Sequence, residues 1–276
     1  MHERMHERSP RALSKDCGLP RLEVSMLWQH LLGVSRAWLI SHDDEAVSEQ
    51  AAQDFATLAA RRRDGEPMAY LLGEREFMGH RFAVAPGVLI PRPDTEVLVE
   101  TGLACIAGLQ NATVIDLGTG SGAIAISIAL ARPDAHVTAT DYSDAALKIA
   151  RGNAHTLQAH VNFVQGDWYQ AVPPEARFDL IVSNPPYIAA GDHHLSEGDL
   201  RFEPSQALTD GADGLQALAI LAAGARQRLK PGGQIWLEHG WDQAEAVRQL
   251  LTQAGLRDAS SRRDLAGIER ISGASL

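Results

Sequence analysis

Beyond residue 112, short apolar runs alternate with longer stretches whose apolar positions recur at helical spacing. Residues 114–117, 135–140, 161–164, 178–183 and 234–238 read as strands. Residues 123–131, 144–157, 215–229 and 243–254 read as helices, the third expected to end at Pro231-Gly232-Gly233. Such alternation builds an α/β fold, a parallel sheet with helices on both faces. Ligands of such sheets bind beyond the carboxyl ends of the strands, where strand order reverses.

The front of the chain has a different period. Leu22, Met26, Leu27 and Leu31, then Phe55, Leu58 and Ala59, fall at helical spacing, which predicts a helical domain over residues 20–75. Arg61-Arg62-Arg63 suits the C-terminus of its second helical stretch. Phe77, Phe82, Val84 and Val88 alternate around Gly79 and Pro86-Gly87, so residues 76–93 read as a hairpin linker. Prolines in Ile90-Pro-Arg-Pro-Asp-Thr-Glu96 fix the entry to a helix that Asp94 or Thr95 can cap. Residues 94–276 are then expected to form one larger domain, the one that carries the candidate chemistry below. Residues 1–19, with a Met-His-Glu-Arg repeat and few positions before Leu22, read as a disordered extension that leaves the first helix missing or remodelled.

Composition narrows the class. With 276 residues, 45% hydrophobic and 22% charged, the chain can bury a core that needs no disulfide or metal. Cys17 and Cys105 are far apart and in no ligand spacing, which predicts a reducing, cytoplasmic setting without structural zinc. His193-His194 reads as a solvated loop pair rather than a metal site. The net charge of −10 argues against direct nucleic-acid binding. No stretch reaches the roughly 18 apolar residues of a membrane span. A monomer is expected.

Asp116-Leu-Gly118-Thr119-Gly120-Ser121-Gly122 joins the first of these strands to its helix. Glycines there permit a tight turn and close approach of a ligand to backbone N–H groups, as many nucleoside cofactors require. Two details favour S-adenosylmethionine: Asp116 can face its cationic methionine end, and the spacing is Gly-x-Gly-x-Gly. Asp141, 23 residues after Gly118, can accept both ribose hydroxyls, because Ser143 or Asp144 remains to cap the next helix. Asp167 can bond the adenine amine, and the Trp168 ring can pack on its face or simply fill the core.

Asn184-Pro185-Pro186-Tyr187 follows the strand at 178–183 and suits the holding of a planar nitrogen group. An amide nitrogen is a poor nucleophile because its lone pair is delocalised into the carbonyl. The Asn184 side-chain carbonyl and the Pro185 backbone carbonyl can each accept one N–H of an –NH2 group, turning the lone pair toward a methyl donor. The prolines stiffen the loop and remove competing donors, and Tyr187 can stack on the planar group.

These residues also carry a resemblance. Ile90 to Glu96, Asp116 to Gly122, Asn184 to Tyr187, Arg201-Phe-Glu-Pro204, Leu237-Glu-His-Gly240 and Asp264-Leu-Ala-Gly267 with Glu269-Arg270 occur in this order. From about residue 20 to the end the chain resembles the HemK/PrmC family of protein-(glutamine-N5) methyltransferases. The resemblance implies methylation of the Gln in the Gly-Gly-Gln motif of class I peptide chain release factors, with S-adenosylhomocysteine as product. It also implies a Rossmann-like seven-stranded class I methyltransferase sheet, and a helical N-terminal domain that helps dock the release factor. Implied cofactor contacts are Gly118 to Gly122, Asp141, Trp168 and Asn184, and implied substrate contacts are Asn184 to Tyr187. The chain's own Gly232-Gly233-Gln234 reads as a turn into a strand, out of reach of the catalytic loop. A nucleic-acid amino-methyltransferase would need a basic groove and a target-recognition region. A non-catalytic binding protein has no use for an intact Asn-Pro-Pro-Tyr, and a nicotinamide enzyme fits the glycine spacing poorly.

Overall fold

The computed structural model describes residues 8–276. The chain divides after Gly73 into two compact units.

The first unit is helical: α1 (Pro10–Ser14), α2 (Arg21–Leu32), α3 (Arg36–His42), α4 (Glu49–Arg63) and α5 (Met68–Leu72). Serines cap three of the starts, Ser9, Ser35 and Ser48 each accepting a backbone N–H of the first turn. Leu27, Trp28 and Phe55 are buried at its centre, and the Trp28 and Phe55 rings stack with centroids 4.2 Å apart. Arg61 pairs with Glu66 and Arg62 with Glu23, so the arginine run at the end of α4 is spent inside this unit.

Residues 1–7 lie outside the described residues, but residues 9–19 correct the expected extension. Ser9 starts α1, whose Ser14 hydroxyl accepts the Trp28 indole N–H at 2.9 Å. The Arg11 N–H donates to the Asp43 carbonyl, and the Arg11 guanidinium pairs with the Asp43 carboxylate. Leu13, Cys17 and Leu19 pack against the Leu27–Trp28 core. A short helix held by polar contacts to distant residues has too few apolar positions to show a period.

The second unit begins with the hairpin β1 (Glu74–Phe77) and β2 (His80–Ala83). Then follow α6 (Glu96–Cys105), β3 (Thr113–Leu117), α7 (Ala123–Ala131), β4 (His136–Asp141), α8 (Asp144–Leu157), β5 (Val161–Gln165) and β6 (Phe178–Ser183). α9 (Ser205–Leu208), α10 (Gln216–Arg228), β7 (Leu229–Glu238), α11 (Ala244–Gln253), β8 (Arg257–Arg263) and β9 (Glu269–Ser275) complete it. Among the described residues the main sheet has seven strands in the order β5-β4-β3-β6-β7-β9-β8. β9 alone is antiparallel to its neighbours β7 and β8, and the other pairings are parallel.

Successive strand residues feed opposite faces. Val114, Leu180 and Val182 pack under α6 and α7, whereas Ile115, Leu117 and Ile181 pack under α10 and α11. Each such buried Ile, Leu or Val contributes about 1.5–3 kcal/mol. Leu229 already belongs to β7, so α10 ends at Arg228 and Pro231-Gly232-Gly233 lies in an irregular stretch of strand rather than closing the helix. The hairpin is fastened to the sheet domain. The Asn153 amide of α8 accepts the Ala83 N–H at 2.7 Å and donates to the Ala83 and Ser121 carbonyls.

Strand order reverses at β3, which has β4 on one side and β6 on the other. The loops leaving β3, β4, β5 and β6 therefore meet at one carboxyl edge.

Candidate active site

That edge holds a cleft of about 240 Å³. Its floor is the turn after β3. Gly118, Gly120 and Gly122 have φ of 76°, 56° and 84°, in the left-handed region. A Cβ on Gly122 would lie 2.7 Å from Ile126 Cδ1 and 3.1 Å from Ala150 Cβ, so a side chain there would crowd Ile126 and the facing Ala150 of α8. The N–H groups of Gly118 and Thr119 both donate to the Thr140 carbonyl at 2.9 Å, seating the turn on β4.

Asp141 ends β4 and lines the cleft. Its carboxylate accepts the Gly120 N–H and the Ser143 N–H, each at 2.8 Å. The Ser143 hydroxyl caps α8, which leaves Asp141 without that task. Burial pushes the Asp141 carboxyl above the usual carboxylate range, and the N–H donors only partly oppose it. Asp167 and Trp168 follow β5 and line the same cleft. The Trp168 ring lies against the Gly118 backbone, 3.1 Å from where a Cβ would stand, and Trp168 itself has a φ of 45°. A non-glycine residue held there is strained, a feature concentrated at binding sites.

Asp116 departs from expectation. It is fully buried beneath the turn and is not among the residues lining the cleft. Thr119 Oγ1 donates to its Oδ2 at 2.6 Å, and Oδ1 has no hydrogen-bond partner. Burial pushes this carboxyl up to about 7. Its position is that of a brace for the glycine turn, because a carboxylate at the buried end of β3 reaches Thr119 sooner than the cleft.

Asn184 and Pro186 of the loop after β6 line the cleft, whereas Pro185 is buried. Tyr187 is the second departure. It does not line the cleft; it packs beside the α10–α11 core and donates its hydroxyl to Glu238 Oε1 at 3.2 Å. A phenol with a buried carboxylate within reach is held there rather than left as a stacking platform. The Tyr187 carbonyl accepts Gln243 Nε2 at 3.0 Å and fills the space a Cβ on Gly214 would need.

The segments around these residues converge. The Arg92 guanidinium pairs with the buried Glu203 carboxylate, which also accepts the Ile90 N–H at 2.9 Å. This joins the Ile90–Glu96 segment to the Arg201–Pro204 segment at the rim of the cleft. Thr95 was expected as a possible helix cap, but neither it nor Asp94 caps α6 through its side chain. Its hydroxyl instead accepts Asn184 Nδ2 at 3.3 Å. Arg270 meets Asp264 at 3.1 Å and Asp94 at 3.5 Å. Sequence reasoning gave Thr95, Glu203, Gly214 and Glu238 no role in the site. The available signal was an acidic residue closing an apolar strand, as Glu238 closes Ile235-Trp236-Leu237.

Gln234 lies within β7, opposite Leu180 and Ser275, where its Oε1 accepts the Trp236 indole N–H at 3.1 Å. It does not line the cleft. Among the described residues no helix is long and apolar enough to cross a membrane.

The residues present fit S-adenosylmethionine. Apolar walls from Phe77, Val88 and Ile124 suit an adenine ring and a thioether chain, the glycine turn admits close approach, and Asp141 faces the same space.

Comparison with known proteins gives the same direction. A family model described as the PrmC N-terminal domain matches residues 10–73, and one described as a methyltransferase small domain matches residues 94–202. The release factor glutamine methyltransferase of Bordetella pertussis is 64% identical over 264 residues, covering 96% of this chain and 98% of that one. The release factor glutamine methyltransferase of Escherichia coli K12 is 41% identical over 253 residues, 91% of each chain. A solved methyltransferase from Pyrococcus furiosus shares the fold, with a TM-score of 0.56 at 20% identity over 80% of this chain and 98% of that one.

Proposed function

We propose how this chain, which belongs to the release factor glutamine methyltransferase family, carries out its reaction. It transfers a methyl group from S-adenosylmethionine to the side-chain nitrogen of a release-factor glutamine, the Gln of the Gly-Gly-Gln motif in class I release factors. When bound, S-adenosylmethionine supplies a methyl group made electrophilic by its positively charged sulfur.

This chain's residues hold and orient. Asp141 accepts the ribose hydroxyls, Gly118 to Gly122 admit close approach of the cofactor backbone, and Asp167 with Trp168 flanks the adenine. Asp116 acts from beneath, by fixing Thr119 and so the shape of the turn. Asn184 Oδ1 accepts an N–H of the substrate amide, turning the nitrogen lone pair toward the methyl group, while Pro185, buried rather than lining the cleft, stiffens the loop that carries it. Pro186 closes the wall beside them. Tyr187 serves by anchoring the loop to Glu238. No strong base is required, because the amide nitrogen becomes acidic only once it has gained the methyl group.

One observation carries this reading: Asn184 shares a single cleft with the glycine turn and Asp141. A transfer assay with labelled cofactor, offering release factor, other glutamine-containing proteins and DNA side by side, tests it. Label is expected on the release factor. Label on DNA alone contradicts the reading.

A further inference from the structure

Asn153 lies on α8 three positions after Ala150, on the helix face that meets the glycine turn, with 3% of its surface exposed. Its amide is engaged three times. Oδ1 accepts the Ala83 N–H at 2.7 Å, and Nδ2 donates to the Ala83 carbonyl at 3.0 Å and to the Ser121 carbonyl at 2.9 Å. Ala83 ends β2 of the hairpin, and Ser121 belongs to the turn after β3. Among the described residues no other side chain bonds both segments. Both segments serve the cleft. Phe77 of β1 and Val88 beyond β2 line it on the hairpin's part, and Gly118 to Ser121 on the turn's. Phe77 packs edge-on against Phe82 of β2, with ring centroids 6.1 Å apart, so a shift of β2 carries that wall with it. Ala83 itself is exposed and does not line the cleft.

We propose that Asn153 is a positioning residue for the cofactor, holding the hairpin wall of the cleft in register with its glycine turn. The inference rests on the reading of the cleft as a site for S-adenosylmethionine. Chemistry decides the residue type. Ala83 presents one donor and one acceptor, and Ser121 presents a second acceptor. A carboxamide answers all three with one oxygen and two N–H groups, whereas a carboxylate can only accept and would face two carbonyl oxygens. The peptide joining Ser121 to Gly122 is held at both polar groups, because the Gly122 N–H donates to the Thr119 carbonyl at 2.9 Å. The other anchors of the turn from outside, the Thr140 carbonyl and the Asp141 carboxylate, both come from the end of β4 and leave the hairpin untouched. Asn153 is thus the bond through which the hairpin bears on the shape of the turn. Walls already in place need no ordering when a ligand enters, so loosening this bond weakens cofactor binding.

The test uses the full chain, with S-adenosylhomocysteine as the calorimetric probe and circular dichroism to show that each variant is folded. Asn153→Asp loses both donors, and its Kd is expected to rise roughly 10- to 100-fold, the range for leaving buried polar groups unpaired. Ala83→Pro removes one bond from the hairpin's side, at an exposed strand end where proline is tolerated, and its Kd is expected to rise about three- to tenfold. With saturating S-adenosylmethionine, kcat and the KM for release factor should stay within about threefold of wild type in both, since the Asn184 loop keeps its own bonds. A purely structural role would lower stability and leave the Kd of the folded protein unchanged. That unchanged Kd overturns the proposal, and if Asn153→Asp does not fold, Ala83→Pro alone decides. A wild-type protein that binds no S-adenosylhomocysteine overturns the reading of the cleft as well.

Discussion

The Asn184 amide donates to the Thr95 hydroxyl at 3.3 Å across 89 positions of sequence. That bond ties the loop after β6 to the turn that opens α6, so the residue proposed to receive the substrate is braced from outside its own loop. Rigid placement of this kind is what transition-state stabilisation requires, because acceptors already aimed need no reorganisation as charge develops.

Removing the acceptor should therefore cost rate more than cofactor binding. Asn184→Ala is expected to lower kcat at least about 100-fold while cofactor Kd stays within roughly tenfold, since its bonds to the substrate nitrogen strengthen mainly in the transition state. Single-turnover transfer and calorimetry on the same sample read the two effects separately. Full activity would remove Asn184 from the mechanism.

Gly214 acts on the same loop from a distance. It has a φ of 81°, and a Cβ there would stand 2.2 Å from the Tyr187 carbonyl oxygen and 3.0 Å from Gln243 Nε2. Gly214→Ala must displace Tyr187 or strain its own backbone, at a cost of about 1–3 kcal/mol. We expect a kcat reduced about tenfold or more with cofactor affinity unchanged. Wild-type kcat would show that the loop tolerates the shift.

On the cofactor side, Asp141→Ala removes the proposed ribose acceptor and also the anchor of the Gly120 N–H. Cofactor Kd should rise roughly 10- to 100-fold, the cost of about 1.5–3 kcal/mol for hydrogen bonds to a charged group. Burial raises the Asp141 carboxyl above the usual range. The ribose contact needs the ionised form, so wild-type affinity should fall on acidification earlier than an exposed aspartate predicts. Calorimetry across a pH series checks both, and an unchanged Kd in the variant rejects the ribose role.

The cleft that the glycine turn and the strand-end acids share was legible because its signals are local. Glycines at positive φ and acids at strand ends lie within a few residues of the elements they serve, and Gly118, Gly120, Asp141, Asp167 and Trp168 all face one cleft. What the sequence hid depends on long-range contact. Thr95 looks like a cap, Glu238 like the end of a strand and Gly214 like a loop glycine until β6, β7 and the turn before α6 are brought together. Tyr187 was misplaced for the same reason, since its direction is set by a carboxylate 51 positions away. The central strands announced themselves by apolar runs. β8, Arg257–Arg263, did not, because an edge strand of Arg, Asp and Ser with a single Ala carries no apolar pattern.

Asp116 gives a prediction on stability. Burial holds its carboxyl at about 7 in the folded protein, far above the unfolded value. The protonated form is thus favoured by folding. Its contribution is fully present below the unfolded pKa and is lost as pH rises through about 7. Asp116→Asn removes that dependence. Between about pH 5 and 8 the wild type should lose stability relative to the variant by on the order of 2 kcal/mol, read as diverging urea midpoints. Parallel midpoints would mean that Asp116 is ionised and satisfied throughout.

The central claim is that the cleft aims one glutamine nitrogen at the methyl donor through Asn184. Tandem mass spectrometry of release factor incubated with S-adenosylmethionine and this protein tests it most directly. One added methyl is expected on the side-chain nitrogen of the Gly-Gly-Gln glutamine, formed at least about 100-fold more slowly with Asn184→Ala. A methyl group on another residue, or equal methylation by the variant, would contradict it.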